Sequence, residues 1–224
     1  MDRLRIPAPF LIGFKRLAEL ESSKIEEISQ FLRTVPIGTG RNTFKETFYG
    51  NFDDLQETGV AETIFSIASV HHYYEGQYVS DTALSQMLVE SYKDQQKQVE
   101  DTQVLEKLET TLQTILASLS TLYYSFKAFD LLSEDKSVFV AAHIVSDIRL
   151  IFNKNDISQT TRQSVIVHRL KINATENAKD SEYFFSLDTN DLKKLKEQIE
   201  RAEKKEKLIR DQYRDAIEFI TITE

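Results

Sequence analysis

Hydrophobic side chains recur at intervals of three and four residues through the first half of the chain, which is the spacing of amphipathic helices. The pattern predicts a short helix over residues 10–20. A second helix should follow, because Ser23 and Glu26 have the spacing of a capping box before further apolar positions. Pro36 and the glycine-containing run 37–40 should end this second helix.

The same spacing predicts three further helices in this half of the chain. Asn51 is placed to cap the third helix, and Ser80 or Asp81 is placed to cap the fourth. From Asp101 the apolar positions continue without a breaking residue to about Asp130. We therefore expect the longest helix of this half to be uninterrupted.

After Ser133 the hydrophobic period shortens to two residues, the alternation of a β-strand. It predicts strands over residues 138–152, 164–172 and 183–187, the second of them rich in β-branched side chains. For the first third of the first strand a helix remains an alternative. Because turns and no helical crossover join the strands, they should pair as an antiparallel meander. The second strand is apolar or amphipathic on both sides, so we expect both faces of the sheet to be covered.

A long helix should follow the strands, capped within residues 188–191. Its apolar or small positions form a heptad-like seam that consists of Leu192, Leu195, Ile199, Ala202, Ile209, Tyr213 and Ala216. The weak alternation of residues 217–222 leaves a further strand open. The whole pattern predicts an α+β fold, with an all-helical N-terminal domain over residues 1–133. A three-stranded antiparallel meander and a long C-terminal helix then occupy residues 134–224.

Composition narrows the classes of function. The 224 residues include 14 Phe and 9 Tyr but no cysteine, which excludes disulfides, thiol nucleophiles and cysteine-ligated metal sites. The absence of cysteine, of a hydrophobic leader and of an apolar run of membrane length predicts a cytoplasmic protein. The net charge of −8 lies in the first half, since residues 1–135 carry 12 Lys and Arg against 21 Asp and Glu, whereas residues 136–224 carry 16 against 15. The first half therefore lacks the basic face that nucleic-acid binding requires.

Four segments follow one another in the order of three strands and a terminal helix: Ser146–Leu150, Val165–Ile172, Tyr183–Leu187 and Asp191–Leu195. Through these segments residues 144–213 resemble a COMM domain, and the order of parts along the chain resembles COMM-domain proteins, in which a helical domain comes first. The resemblance implies a domain without enzymatic residues. It also implies an obligate dimerisation unit, in which two sheets and two helices interlock.

We therefore predict a non-enzymatic scaffold subunit that dimerises with itself or a related subunit through its β-β-β-α domain. Its acidic helical domain should recruit other proteins, and we expect no cofactor, metal site, catalytic site or membrane contact. The predicted dimer contact consists of large apolar side chains, because such groups dominate affinity when they are desolvated near an interface centre. These are Ile148, Leu150, Phe152, Val165, Val167, Leu170, Tyr183, Phe185, Leu192, Leu195 and Ile199.

The alternative is an RNA-directed protein, such as a HEPN-like ribonuclease component of a defence system. Arg162 and His168 have the Arg-x5-His spacing of such ribonucleases, but here they lie along a predicted strand and not across a pair of helices. A metal site has weaker support. His71 and Glu75 share a helical face, yet two ligands are fewer than the three or four of a zinc site, and the adjacent His72 points about 100° away.

Overall fold

The computed structural model describes residues 4–96, 102–152, 154–155, 160–176 and 179–223, and for residues 160–162 it describes the backbone alone. The chain divides into two compact units. The first, here called the helical unit, comprises Met1–Leu131 together with Ile220–Glu224. The second, the sheet unit, comprises Leu132–Phe219. Helices precede a three-stranded antiparallel sheet and a long final helix, so the predicted α+β fold is confirmed.

Helices form nearly all of the helical unit. They are α1 (Leu11–Glu19), α2 (Ser22–Thr34), α3 (Arg41–Asn51), α4 (Val60–Glu75), α5 (Asp81–Gln95), α6 (Thr102–Leu116) and α7 (Ser120–Leu132), with 3-10 turns at Ala8–Phe10 and Asp53–Leu55. α6 contacts α1, α2, α4 and α5. The apolar stripes meet in one core, whose largest fully buried side chains include Leu17, Ile28, Leu32, Phe44, Phe48, Ile64, Leu84, Leu108, Leu112 and Ile115. Burial of side chains of this size is the dominant stabilising contribution to such a fold.

Three details of the helical unit differ from the prediction. α3 was not predicted, and Asn51 is its last residue and not the cap of the next helix. α4 begins instead at Val60, after Gly59 adopts a left-handed backbone conformation with φ 72°. α2 begins at Ser22 without a side-chain cap, so the predicted capping box at Ser23 is absent there. The Ser80 cap is confirmed, because its hydroxyl accepts a hydrogen bond from the amide of Ala83 at 3.2 Å.

The predicted uninterrupted helix is broken between α6 and α7. The amides of Ser118 and Leu119 donate to carbonyls three residues back, the tighter 3-10 pattern, and α7 then starts at Ser120. The buried hydroxyl of Ser118 bonds to that of Ser29 in α2 at 2.7 Å. A tertiary hydrogen bond thus anchors the break. The predicted start of this helix, Asp101, lies outside the described residues.

The sheet unit contains β1 (Ser137–Phe152), β2 (Thr160–Glu176), β3 (Lys179–Leu187) and α8 (Thr189–Tyr213). The strand order β1-β2-β3 with antiparallel pairing confirms the meander. β2 and β3 are longer than predicted, because pairing extends the ladder to Glu176 and Lys179 over polar residues. Much of the predicted turn between β1 and β2 lies outside the described residues.

A capping box starts α8. The Asp188 carboxylate accepts from the amides of Asn190 (2.7 Å) and Asp191 (2.9 Å), while the Asp191 carboxylate accepts from the amide of Asp188 (3.2 Å). The two backbone donors hold the pKa of Asp188 below its usual value. The helix ends at Tyr213, so Ala216, which was assigned to its apolar seam, lies beyond it. Residues 217–223 form no strand, and residues 220–224 are grouped with the helical unit.

Candidate functional site: the apolar face of the sheet

Strand register determines which side chains share a face of the sheet. Ile148 of β1 lies opposite Ile166 of β2, and Leu170 of β2 lies opposite Phe185 of β3. Residues directly opposite in an antiparallel pair project to the same side, and alternate residues along a strand do likewise. The resulting surface, here called the apolar face, consists of Phe139, Ala142, Ile144, Ile148, Leu150, Ile166, Leu170, Ile172, Ala174, Tyr183, Phe185 and Leu187.

A register shift places Phe139 on this surface. The pairing skips one residue between Phe139 and Ala141, so that Phe139 lies opposite Ala174. An extra residue in one strand reverses the alternation beyond it. Without the shift, Phe139 would project to the other side. The shift therefore extends the apolar face toward the start of β1.

Most of the apolar face is open to solvent. Ile148 is 70% exposed, and Ile144, Leu150, Ile166 and Phe185 are each about half exposed. Among the residues that the structure describes, Leu170 and Ala174 are the only buried apolar side chains of the sheet unit. Contiguous apolar surface of this kind marks an interaction site more often than it marks inert surface. The expectation that both faces are covered is not met within this single chain.

A polar pair lies within the apolar face. The hydroxyl of Ser146 and Nδ1 of His168 are 2.7 Å apart across β1 and β2. A second polar contact lies at one end, where Glu176 accepts hydrogen bonds from Ser137 and from the hydroxyl of Tyr183. These bonds lower the pKa of Glu176 and raise the pKa of Tyr183. Groups that are already hydrogen-bonded can be covered by a partner at a smaller desolvation cost.

The opposite face of the sheet is more polar. It carries Asp147, Arg149, Arg169, Lys171 and Glu182 among Val145, Val165, Val167 and Phe184. Lys171 lies 2.6 Å from the carboxylate of Glu182, and its ammonium group lies 5.8 Å from the centroid of the Phe184 ring. Charged side chains that pair with each other in this way are typical of a solvated surface.

α8 also leaves apolar side chains open. The helix contacts β2 and β3, but none of its residues is buried. Leu192 is half-buried, whereas Ile199 and Ile209 are about half exposed. Since the rest of the helix is strongly charged, this seam is its only apolar stripe among the described residues. A helix with such a stripe and no partner for it is stabilised when another element covers the stripe.

The structure brings only part of the predicted contact together. Ile148, Leu150, Leu170, Tyr183 and Phe185 lie on the apolar face. Val165 and Val167 lie on the opposite face, because they are odd positions of β2 whereas Leu170 is even. The eleven predicted residues therefore cannot form one continuous sheet surface.

The other predicted residues lie at two separate places. Phe152 is at the end of β1, beyond a second register shift. Leu192, Leu195 and Ile199 follow one another on α8. Ile144, Ile166 and Ile172 also lie on the apolar face although they were absent from the predicted contact, and the two-residue alternation alone places them there. Phe139 could not be found that way, since only the register shift moves it.

The residues of the RNA alternative do not converge. Arg162 and His168 are six residues apart on one strand, so their Cα atoms are separated by about 20 Å. The ring of His168 is hydrogen-bonded to Ser146, and the side chain of Arg162 lies outside the described residues.

The helical unit offers polar pairs but no metal centre in its described part. His71 lies 2.9 Å from the carboxylate of Asp81, and His72 lies 2.7 Å from that of Asp130. The two pairs are separate, and the described residues contain no group of three or more side chains that could hold a metal ion. Each imidazole meets one carboxylate through Nε2, while Nδ1 of both rings is buried without a hydrogen-bond partner among the described residues.

A third polar cluster joins α3 to α4. The hydroxyl of Tyr49 donates to Glu62 at 2.7 Å, and the ammonium of Lys45 lies 2.8 Å from the same carboxylate. Burial and the bond to Glu62 raise the pKa of Tyr49 to about 12. Although burial opposes it, hydrogen bonding from Lys45 and Tyr49 lowers the pKa of Glu62. The Tyr49 hydroxyl, the Lys45 ammonium and the Glu62 carboxylate are thus one another's partners, as expected of a structural link between α3 and α4.

No family model matches the chain, and no curated protein matches its sequence. Within the described residues, none of the helices combines the length and the apolar character needed to cross a bilayer. The exposed surfaces described above are therefore the features that point to a function.

Proposed function

We propose that this chain is a non-enzymatic interaction subunit, and that its sheet unit pairs with a second copy or a closely related subunit. The apolar face of the sheet and the open seam of α8 supply the contact. The observation that carries the proposal is the near absence of a core in the described part of the sheet unit, where Leu170 and Ala174 are the only buried apolar side chains. A unit that buries so little apolar surface by itself gains additional stability when a partner covers that surface.

The kind of partner follows from the surface. An apolar sheet face whose polar groups are already hydrogen-bonded, as Ser146 is with His168, is complementary to a surface of the same character. A second copy presents that surface in a two-fold arrangement. The resemblance of residues 144–213 to a COMM domain supports the same mode of pairing. We therefore favour association through like domains over association with nucleic acid.

The helical unit is proposed to recruit a different protein. Its sequence carries most of the negative charge of the chain. Exposed tyrosines accompany the connection from α4 to α5, where Tyr73 is 64% and Tyr78 is 99% exposed. Tyrosine is over-represented among residues that dominate binding energy. A basic partner with an apolar pocket has the chemistry to bind there.

The proposed setting is the cytoplasm, in keeping with a chain of 224 residues that contains no cysteine. The mass of the purified chain in solution tests the central proposal. Light scattering at increasing concentration should approach twice the chain mass of 25.9 kDa, or a mixed dimer should appear on co-expression with a related subunit. A protein that stays at 25.9 kDa at high concentration, with amides of the sheet protected from hydrogen exchange, would contradict it.

A further inference from the structure

Residues near the end of the chain form one wall of a groove in the helical unit. The groove has a volume of about 360 Å³ and lies beside the connection between α2 and α3. Phe31, Val35 and Phe44 supply its apolar lining, and threonine side chains surround them. Thr221 and Thr223 also line it, although they follow α8 in the sequence by several residues. The chain thus returns to the helical unit and forms one wall of this groove.

The connection between α2 and α3, residues 35–40, is here called the loop. Its main-chain groups hold the returning segment, residues 220–223. The amide of Thr223 donates to the carbonyl of Gly38 at 3.0 Å, and the amide of Gly40 donates to the Thr223 hydroxyl at 3.4 Å. The loop is fixed from its other side, because the amide of Gly38 donates to the buried hydroxyl of Ser125 at 2.8 Å. Thr223 is therefore bound at two points by main-chain groups of Gly38 and Gly40.

Gly38 is required for this approach. Its φ of 95° lies in a region that L-amino acids rarely adopt. A Cβ atom at this position would lie 2.4 Å from the carbonyl oxygen of Thr221 and 2.6 Å from Cγ2 of Ile220. The loop is thus shaped for a peptide backbone that passes in contact with it.

The returning segment is only partly buried against the helical unit. Ile220 is 41% and Ile222 is 37% exposed, and the groove remains open beside Thr221 and Thr223. A segment held by a few hydrogen bonds and half-buried side chains has a low local stability. It stays in place because its attachment to the chain gives it a high effective concentration.

We propose that this groove is a binding site for short extended peptides, and that residues 220–223 are its resident ligand, bound within the same chain and open to displacement. The chemistry of the site selects a hydroxyl side chain at the position of Thr223. The free volume also accepts an apolar side chain larger than threonine at the position of Thr221. A peptide with these features competes with the resident segment.

Fluorescence anisotropy with a labelled peptide of residues 217–223 tests the proposal. A variant that ends at Phe219 should bind this peptide, whereas the full chain should bind it at least tenfold more weakly because the resident segment competes. Replacing Thr221 by Leu in the peptide should tighten binding about tenfold, as expected for the extra buried apolar surface. A peptide of scrambled sequence should not bind.

Binding of equal strength to both proteins, or no binding to a folded truncated variant, would overturn the proposal. If the full chain is oligomeric and the truncated variant is not, the segment binds a second copy. That result would overturn the assignment within one chain.

Hydrogen exchange in the full chain gives an independent test that needs no truncation. The Gly38→Ala variant should exchange the Thr223 amide at least tenfold faster than the parent, because the added methyl group displaces the segment. Gly50→Ala is the matched control, since a Cβ atom there meets no atom within 4 Å. Equal exchange rates in the parent and Gly38→Ala would overturn the proposal.

Discussion

Replacement of Ile148 by aspartate should convert the proposed dimer into monomers while leaving each chain folded. The side chain of Ile148 is 70% exposed in the single chain, so it contributes little to the stability of the chain that carries it. It lies opposite Ile166 within the apolar face, where a partner would cover it. The substitution therefore acts on association more than on folding.

The magnitude follows from the exposed fraction. Complete burial of an isoleucine side chain contributes about 1.5–3 kcal/mol. Covering the 70% of Ile148 that is exposed would contribute about 1–2 kcal/mol for each copy, and about 2–4 kcal/mol for a two-fold dimer. Loss of this contribution raises the dissociation constant by about 30- to 1,000-fold. Aspartate adds the cost of burying an unpaired carboxylate, so the dimer should be undetectable where the parent is fully paired.

Val145 provides a matched control on the same strand. It is 58% exposed but projects from the opposite face, three residues from Ile148. Light scattering over a range of concentrations should give a monomer for Ile148→Asp and the parent mass for Val145→Asp, with unchanged circular dichroism for both. A dimer that withstands Ile148→Asp, or that Val145→Asp disrupts equally, would refute the assignment of the contact to the apolar face.

Further predictions concern stability. Gly13→Ala should destabilise the chain by about 1–3 kcal/mol in urea unfolding, because its Cβ atom would lie 2.1 Å from a side-chain oxygen of α4, whereas Gly50→Ala should stabilise it by about 0.5–1 kcal/mol. Since the pKa of Asp188 is lowered in the folded state, its ionised carboxylate stabilises the fold above about pH 4, and this stabilisation is lost on acidification. The loss should be absent in Asp188→Asn when unfolding is followed from pH 6 to pH 2. The pKa of Tyr49 is raised in the folded state, so its protonated hydroxyl stabilises the fold below about pH 10, and this stabilisation declines toward about pH 12. The stability difference between the parent and Tyr49→Phe should accordingly be larger at pH 8 than at pH 11, and Glu62→Gln should lower the pKa of Tyr49 in a spectrophotometric titration.

Local signals in the sequence identified much of the fold. The Ser80 cap and the acidic cap of α8 are recognisable from a few adjacent residues, and both form in the structure. The change of hydrophobic period after Ser133 was enough to predict the meander. In contrast, α3 was not predicted, because Phe44 and Phe48 are its only buried residues and polar residues lie between them. The break after α6 was not predicted either, because it accompanies a hydrogen bond between residues 89 positions apart in the sequence.

The surfaces required information that the sequence does not carry locally. Alternation alone could separate Val167 from Leu170, but the face that Phe139 joins depends on a register shift. The groove for the last segment depends on the left-handed backbone of Gly38 and on contacts between distant parts of the chain. A short run of alternating residues at 217–222 could indicate a strand or a docked peptide, and only the fold decides between them.

The unequal lengths of the strands have a consequence for the life of the protein in the cell. β3 pairs with β2 only from His168 onward, so no strand pairs with the consecutive residues Val165, Ile166 and Val167 on that side among the described residues. Such an unprotected edge, rich in β-branched residues, is a template on which further chains can stack into aggregates. Production of this chain should therefore be matched to that of whatever covers its sheet, and an excess of unpaired copies should be the form that precipitates or is degraded first.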